Sequence, residues 1–290
     1  LLLLPVYVNL LSVSEYALLE RTLISLALAH VLIGFGSKQF LLRHLSQEPK
    51  QQRALLARAL RISGSISLGL TAIMLVIARM SFPIIEDFRF GDFWYLIPSY
   101  SFIVSGYEQL LIYLRFKSYI SKYLIISLTS SIGELGLIYL LISLFKFGAD
   151  SKYIGGSIAY LMVLIPYFIF ILRMPQGWQF DNKRDYWTFS GPVVAHLFAG
   201  FVLANTSKII LNGHLGGTEF AVFAFGLQVA TVFKFSSDGS LKAFNIWWYR
   251  NIESLRTHFG MLFQVGTLGI ISYACVFSIA TPWFVDLISP

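Results

Sequence analysis

The 290-residue chain is expected to fold as an all-α bundle of membrane-spanning helices, and three features of the sequence carry that expectation. Hydrophobic residues make up 56% and charged residues 13% of the chain, about half the charge of an average soluble domain, so there is too little charge to coat a water-facing surface. Apolar runs of about 20 residues, the length that crosses a bilayer as a helix, recur from end to end. The joints between them are short and polar, and their basic residues collect in alternate joints. A polytopic protein of a cell membrane accounts for all three.

Taken in order, the apolar segments are roughly 1–11, 17–35, 60–79, 93–114, 122–144, 153–172, 187–211, 218–241 and 259–279. The first, LLLLPVYVNL, is too short to span, lacks an initiating Met and has no basic leader, so it reads as the tail of a helix whose beginning is absent. Eight full spans and one stub result. The joint of residues 36–59 reads as a surface helix broken at Pro49, with its arginines facing lipid headgroups. Pro98, Pro166 and Pro192 fall in or near the ends of spans, where each removes a backbone hydrogen bond and permits a bend. Ser65 with Gly69, and Gly155 with Ala159, are small-residue pairs at the spacing that lets helices approach closely. The aromatic cluster Phe244, Trp247, Trp248 and Tyr249 suits a membrane interface.

Charge sets the direction. Lys38, Arg43, Lys50, Arg53, Arg58, Arg61, Arg115, Lys117, Lys122, Arg173, Lys183, Arg184, Lys242, Arg250 and Arg256 lie at one end of the spans. Arg79, Arg89, Lys146 and Lys152 lie at the other, the first two among Glu86, Asp87 and Asp92. The positive-inside rule makes the first end cytoplasmic and puts residues 12–16, 80–92, 145–152 and 212–217 outside. This bias explains the excess of 22 basic over 15 acidic residues and removes the argument for nucleic acid. The lone Cys275 can form neither an internal disulfide nor a cysteine metal site, and His30, His44, His196, His214 and His258 lack ligand spacing. No metal or cofactor is expected.

Two strings are alike: Leu11-Ser12-Val13-Ser14-Glu15-Tyr16-Ala17 and, 204 residues later, Leu215-Gly216-Gly217-Thr218-Glu219-Phe220-Ala221. The same shift pairs Lys38 with Lys242 and Phe40 with Phe244. Six spans separate the copies, so the halves run parallel, as in transporters whose repeats face each other across a pathway. The division falls at 182/183, giving an N-terminal lobe of residues 1–182 and the start of a second lobe in 183–290. Extending the repeat implies about twelve helices in the complete protein.

No joint is long enough to hold a domain, so chemistry belongs within the bundle. Lys208, beside Asn205, Thr206 and Ser207, stands near the outer end of its span, and Arg21 about one turn inside the outer end of another. A cation there either snorkels to headgroups or lines a polar cavity for an anion, and together the two would suit a phosphate group. Lys234, at i to Asp238 at i+4, is a weaker candidate because an ion pair within one helix explains it. Glu134 and Glu108 lie within spans, where a carboxyl must be protonated or paired. They are the candidates for ion coupling, with interhelical hydrogen bonding as the simpler reading.

The opening LLLLPVYVNLLSVSEYALL followed by GFGSKQFLLRHLS resembles the first helices and basic loop of the polysaccharide exporters. These are O-antigen flippases of the multidrug/oligosaccharidyl-lipid/polysaccharide superfamily, the superfamily of the MATE drug exporters. The segment FSGPVVAHLFAGFVLANTSKIILNGHLGGTEFAVFAFGLQVA resembles them too. Members often carry Asp-Arg where this chain has Ser207-Lys208, and Gly where it has Ala17 and Ala221. The resemblance implies a MATE-like, two-lobed transporter fold with a cationic cavity and no enzymatic activity. The cargo would be oligosaccharide repeat units on undecaprenyl pyrophosphate, moved across a bacterial inner membrane for O-antigen, lipopolysaccharide, capsule or exopolysaccharide synthesis. Partners would be that lipid-linked glycan, membrane lipids and polysaccharide-assembly proteins. Lys208 and Arg21, with Asn205 as neighbour and Lys234 behind them, would contact the phosphates. Rival readings are a drug/cation antiporter of the same superfamily, which would favour buried acids over bases, a peptidoglycan-lipid flippase, and a membrane-embedded glycan polymerase or ligase, which usually carries a large outer loop.

Overall fold

The structure is a computed structural model that describes residues 4–47, 52–79, 94–172 and 183–228, with Gln264, Thr267, Leu268, Gly269, Ser272 and Cys275 beyond. Every regular element among the described residues is helical. Apolar backbone in lipid has to satisfy its own hydrogen bonds, and a helix does so within one segment. The chain divides into a compact unit of Val6–Ala221 and a second of Leu1–Pro5 with Val222–Pro290. The architecture that follows is that of the first unit.

Its helices are α1 (Leu4–Leu10), α2 (Val13–Gly34), α3 (Ser37–Gln47), α4 (Gln52–Arg79), α5 (Ile97–Phe116), α6 (Ile120–Ser143), α7 (Ser151–Leu172) and α8 (Lys183–His214). Residues 217–228 are again helical. Helices within α2, α4, α6 and α8 are long and apolar enough to cross a membrane, which identifies a membrane protein. The spans expected at 17–35, 60–79, 122–144 and 187–211 correspond to these four, those expected at 93–114 and 153–172 are the helices α5 and α7, and the one expected at 218–241 is described only to residue 228. The span expected at 259–279, Lys234 with Asp238, and the Phe244–Tyr249 aromatic cluster lie outside the continuously described residues.

α5 is the hub, packed against α2, α3, α4, α6 and α7. It opens with Pro98 in its first turn, where the missing N–H has no helical partner to lose. Pro166 and Pro192 lie inside α7 and α8. Ile97 and Tyr100 of α5 join Leu26, Ala29 and Ile33 of α2 and Tyr153 of α7 in one apolar core cluster.

α2 begins with a reciprocal cap. The Glu15 backbone N–H donates to the Ser12 hydroxyl oxygen, and the Ser12 N–H donates to the Glu15 carboxylate at 2.9 Å. α2 ends at a left-handed corner, Phe35 at φ 38° and Gly36 at φ 68°. Gly36 suits that conformation, and a Cβ there would lie 3.3 Å from the Ser190 Cβ.

The joint of 36–59 differs from expectation in two respects. α3 is a separate helix, but residues 52–59 form the first turns of the spanning helix α4, because Leu55, Leu56, Ala59 and Leu60 supply a buried stripe at helical spacing. Two of its arginines, Arg43 and Arg58, are also directed at aromatic rings. Arg43 lies 5.2 Å from the Phe189 ring centroid and Arg58 5.7 Å from that of Tyr186, both rings belonging to α8.

The two small-residue pairs part company. A Cβ on Gly155 would come within 3.2 Å of the Ile138 backbone nitrogen, so α7 and α6 approach through that glycine as expected. Gly69 has no atom within 4 Å of where its Cβ would be, and Ser65 is exposed. α4 instead presents Ser63 and Ser67. The Gln109 amide donates to the Ser63 hydroxyl at 3.3 Å, and the Ser67 hydroxyl donates to the Pro98 carbonyl at 3.0 Å.

Candidate functional site

The contacts of α2 at its two ends place its neighbours. At the basic end, the Tyr186 hydroxyl of α8 donates to the Phe35 carbonyl at 3.1 Å, and Phe40 packs against Tyr186 and Phe189. At the opposite end, the turn of Gly148–Asp150 packs against α2. There Gly148 (φ 55°) comes so close to Glu15 that a Cβ would meet its carboxylate at 2.9 Å. α2 and α8 therefore run antiparallel, joined to one another from end to end.

The repeated string recurs as structure. α1 ends at Leu10 and α8 at His214, and the helices that follow start at Val13 and residue 217. The Leu11 N–H donates to the Tyr7 carbonyl at 2.9 Å and the Leu215 N–H to the Leu211 carbonyl at 2.8 Å. The Tyr16 N–H donates to Ser12 and the Phe220 N–H to Gly216, both at 2.9 Å. Tyr16, Ala17, Phe220 and Ala221 are all buried. Each partner in the second turn is its counterpart shifted by 204 residues.

Next to the first copy of this turn, α2 and α8 bring polar side chains together. The Lys208 ammonium donates to Glu20 Oε2 at 2.7 Å, and the Tyr16 hydroxyl donates to Glu20 Oε1 at 3.2 Å. Glu20 is 1% and Lys208 13% exposed at the side chain. One turn further along α8, the Asn212 carbonyl oxygen accepts from Arg21 Nε at 2.6 Å. Helical spacing explains the arrangement: Tyr16 and Glu20 are i and i+4 on α2, and Lys208 and Asn212 are i and i+4 on α8. Lys208 therefore points into the bundle, and its desolvation is offset by a carboxylate and the hydrogen bonds around it.

The other sequence candidates sit elsewhere. Asn205 donates to the Phe201 carbonyl of its own helix at 3.0 Å. Lys234 lies outside the described residues. Glu108 of α5 meets His30 of α2 at 3.2 Å and Lys38 of α3 at 3.2 Å, at the basic end. Glu134 of α6 meets Lys152 at 2.5 Å and accepts from the Tyr160 hydroxyl at 2.7 Å, both from α7. Glu108 and Glu134 thus tie helices together through interhelical pairs. No group of three or more His, Cys, Asp or Glu residues gathers among the described residues.

The arrangement places two cations at the contact of α2 with α8, one bonded to a carboxylate and one to a neutral amide. Such a pair can receive an anion with two acceptor oxygens. Sequence reasoning found Lys208 and Arg21 but passed over Glu20, Tyr16 and Asn212. The available signal was Glu20 itself, an acid inside an apolar span that requires a cation from another helix. Lys152 was placed in a loop, and its pairing with Glu134 was equally unread. No protein-family model, curated protein or solved structure matches the chain.

Proposed function

We propose that this membrane protein is a lipid-linked oligosaccharide flippase. On this reading it carries glycan repeat units on undecaprenyl pyrophosphate from the inner to the outer leaflet of a bacterial cytoplasmic membrane, for polysaccharide synthesis. The observation that carries the reading is that α2 and α8 hold Arg21 and Lys208 at one helix contact, Arg21 on Asn212 and Lys208 on Glu20, two cations in an apolar bundle that suit an anionic headgroup. The recurrence of the Leu10–Val13 turn at residues 214–217 supports a two-lobed, MATE-like fold. On the proposed division at 182/183, α2 belongs to one lobe and α8 opens the next, so the Glu20–Lys208 and Arg21–Asn212 contacts bridge them.

The physical problem of such a cargo is plain. A hydrated glycan and its pyrophosphate cannot enter hydrocarbon, whereas the polyprenyl tail is at home there. A cleft with cations at its wall admits the head while the tail stays in lipid, and rocking of one lobe against the other exposes the head outside. No cofactor is needed. The drug/cation antiporter reading would favour intramembrane acids over bases, whereas Glu20, Glu108 and Glu134 each meet a cation.

The test is restoration of surface polysaccharide in bacterial cells lacking their own repeat-unit flippase, using the full-length protein. Wild type is expected to restore it, and Lys208→Ala and Arg21→Ala to reduce it at matched membrane abundance. Restoration by all three would remove the cations from the mechanism. No restoration by wild type across several glycan types would remove the function.

A further inference from the structure

We infer that Glu20 is a built-in competitor for the cargo: it occupies Lys208 while the site is empty, and the cargo's phosphate must displace it. The inference rests on the flippase reading and adds to it how binding is kept reversible.

A Glu20 carboxylate oxygen stands 2.7 Å from the Lys208 nitrogen, the distance at which a phosphate oxygen would sit in a charge-assisted hydrogen bond. An ammonium only 13% exposed is unfavourable without a compensating group inside an apolar bundle. Glu20 supplies the missing anion. It is itself held in place, 1% exposed and bonded to the Tyr16 hydroxyl. That second bond lets the carboxylate keep a donor when Lys208 turns away.

An arriving phosphate has two ways to use Lys208. Joining the existing pair would crowd two anions around one ammonium in a medium of low polarity, where like charges repel strongly. Replacing Glu20 avoids this. Arg21, one residue along α2, donates to the neutral Asn212 amide oxygen and gives the incoming group a second contact. When the phosphate leaves, Glu20 recaptures Lys208. A transporter whose cargo bound to uncontested cations would hold it, whereas an internal rival lowers the apparent affinity by the fraction of time it occupies the site.

The experiment measures binding of inorganic pyrophosphate to the full-length protein in lipid nanodiscs by titration calorimetry. Glu20→Gln keeps the shape and the bond from Tyr16 but removes the competing charge, and is expected to tighten binding about tenfold. Glu20→Asp, which draws the carboxylate back by one methylene and keeps the charge, is expected to tighten it about threefold and serves if the first variant folds poorly. Lys208→Gln is expected to weaken binding, and adding Glu20→Gln to it to give no gain. Unchanged or weaker binding in both Glu20 variants overturns the competition. If wild type binds and Lys208→Gln does not, that result leaves the cargo reading standing. Absence of binding in wild type and every variant, or binding indifferent to Lys208, overturns both.

Discussion

The pairing of Lys208 with Glu20 makes the two residues unequal in a way that stability measurements can read. Removing the ammonium leaves a carboxylate 1% exposed without its cation, a loss of about 3–5 kcal/mol. Glu20→Gln leaves Lys208 with an amide oxygen to donate to, a loss of about 1–2 kcal/mol. Thermal unfolding in detergent is therefore expected to rank Lys208→Ala well below Glu20→Gln, with the double variant less damaged than the two losses added. Equal, additive losses would mean that the contact is not a unit. At this scale the sequence showed which charges were out of place but not what met them, since the partners lie 188 residues apart and only packing brings them together. Arg21 was legible for the same reason, and Asn212, an unremarkable amide near a helix end, was not.

Between elements, close packing is concentrated where α7 meets α5 and α6. A Cβ on Gly156 would fall 2.8 Å from the Tyr100 ring and 3.3 Å from Glu134 Oε1, crowding the wall that also holds Lys152. Gly156→Ala is expected to lower stability by about 1–3 kcal/mol, whereas Gly69→Ala, in open space on α4, is expected to be neutral or to stabilise by up to about 1 kcal/mol. A melting comparison of the two variants checks this, and equal effects would contradict the packing described. The helices themselves were legible because an apolar run of bilayer length has few alternatives. Which stripe of α4 faces its neighbours was not, because Ser63, Ser65 and Ser67 alternate too evenly for spacing to choose among them. The Gln109 amide decides, donating to Ser37, Ser63 and Ser105 hydroxyls at 2.9–3.3 Å.

For the molecule as a whole, the charge bias predicts which end of each span faces which side of the membrane. In a Cys275→Ser background, a membrane-impermeant maleimide added to intact cells is expected to label Phe145→Cys, just past the end of α6. Ser121→Cys, in its first turn, should react only after lysis. The reverse pattern would invert the orientation. Lysine and arginine placement predicts the topology that this labelling tests, and the repeat was legible through seven residues whose turn is built twice. The sequence was silent on the antiparallel contact of α2 with α8, which depends on Tyr186, Trp187, Asn212 and Lys208 arriving on one face of a long helix.

The Lys208–Glu20 and Lys152–Glu134 pairs also bear on how the protein responds to voltage. Each pair sums to zero charge, so a membrane potential, which acts on a displaced elementary charge with about 2.3 kcal/mol per 100 mV, exerts no net pull on either when its helices move. Arg21, bonded to an amide, feels the field in full. Once a phosphate has taken Glu20's place on Lys208, the freed carboxylate and the phosphate feel it as well. On the flippase reading, the empty site then carries the net charge of Arg21 and the loaded site that charge reduced by the phosphate's, so the potential acts on both legs of the cycle and by a different amount on each.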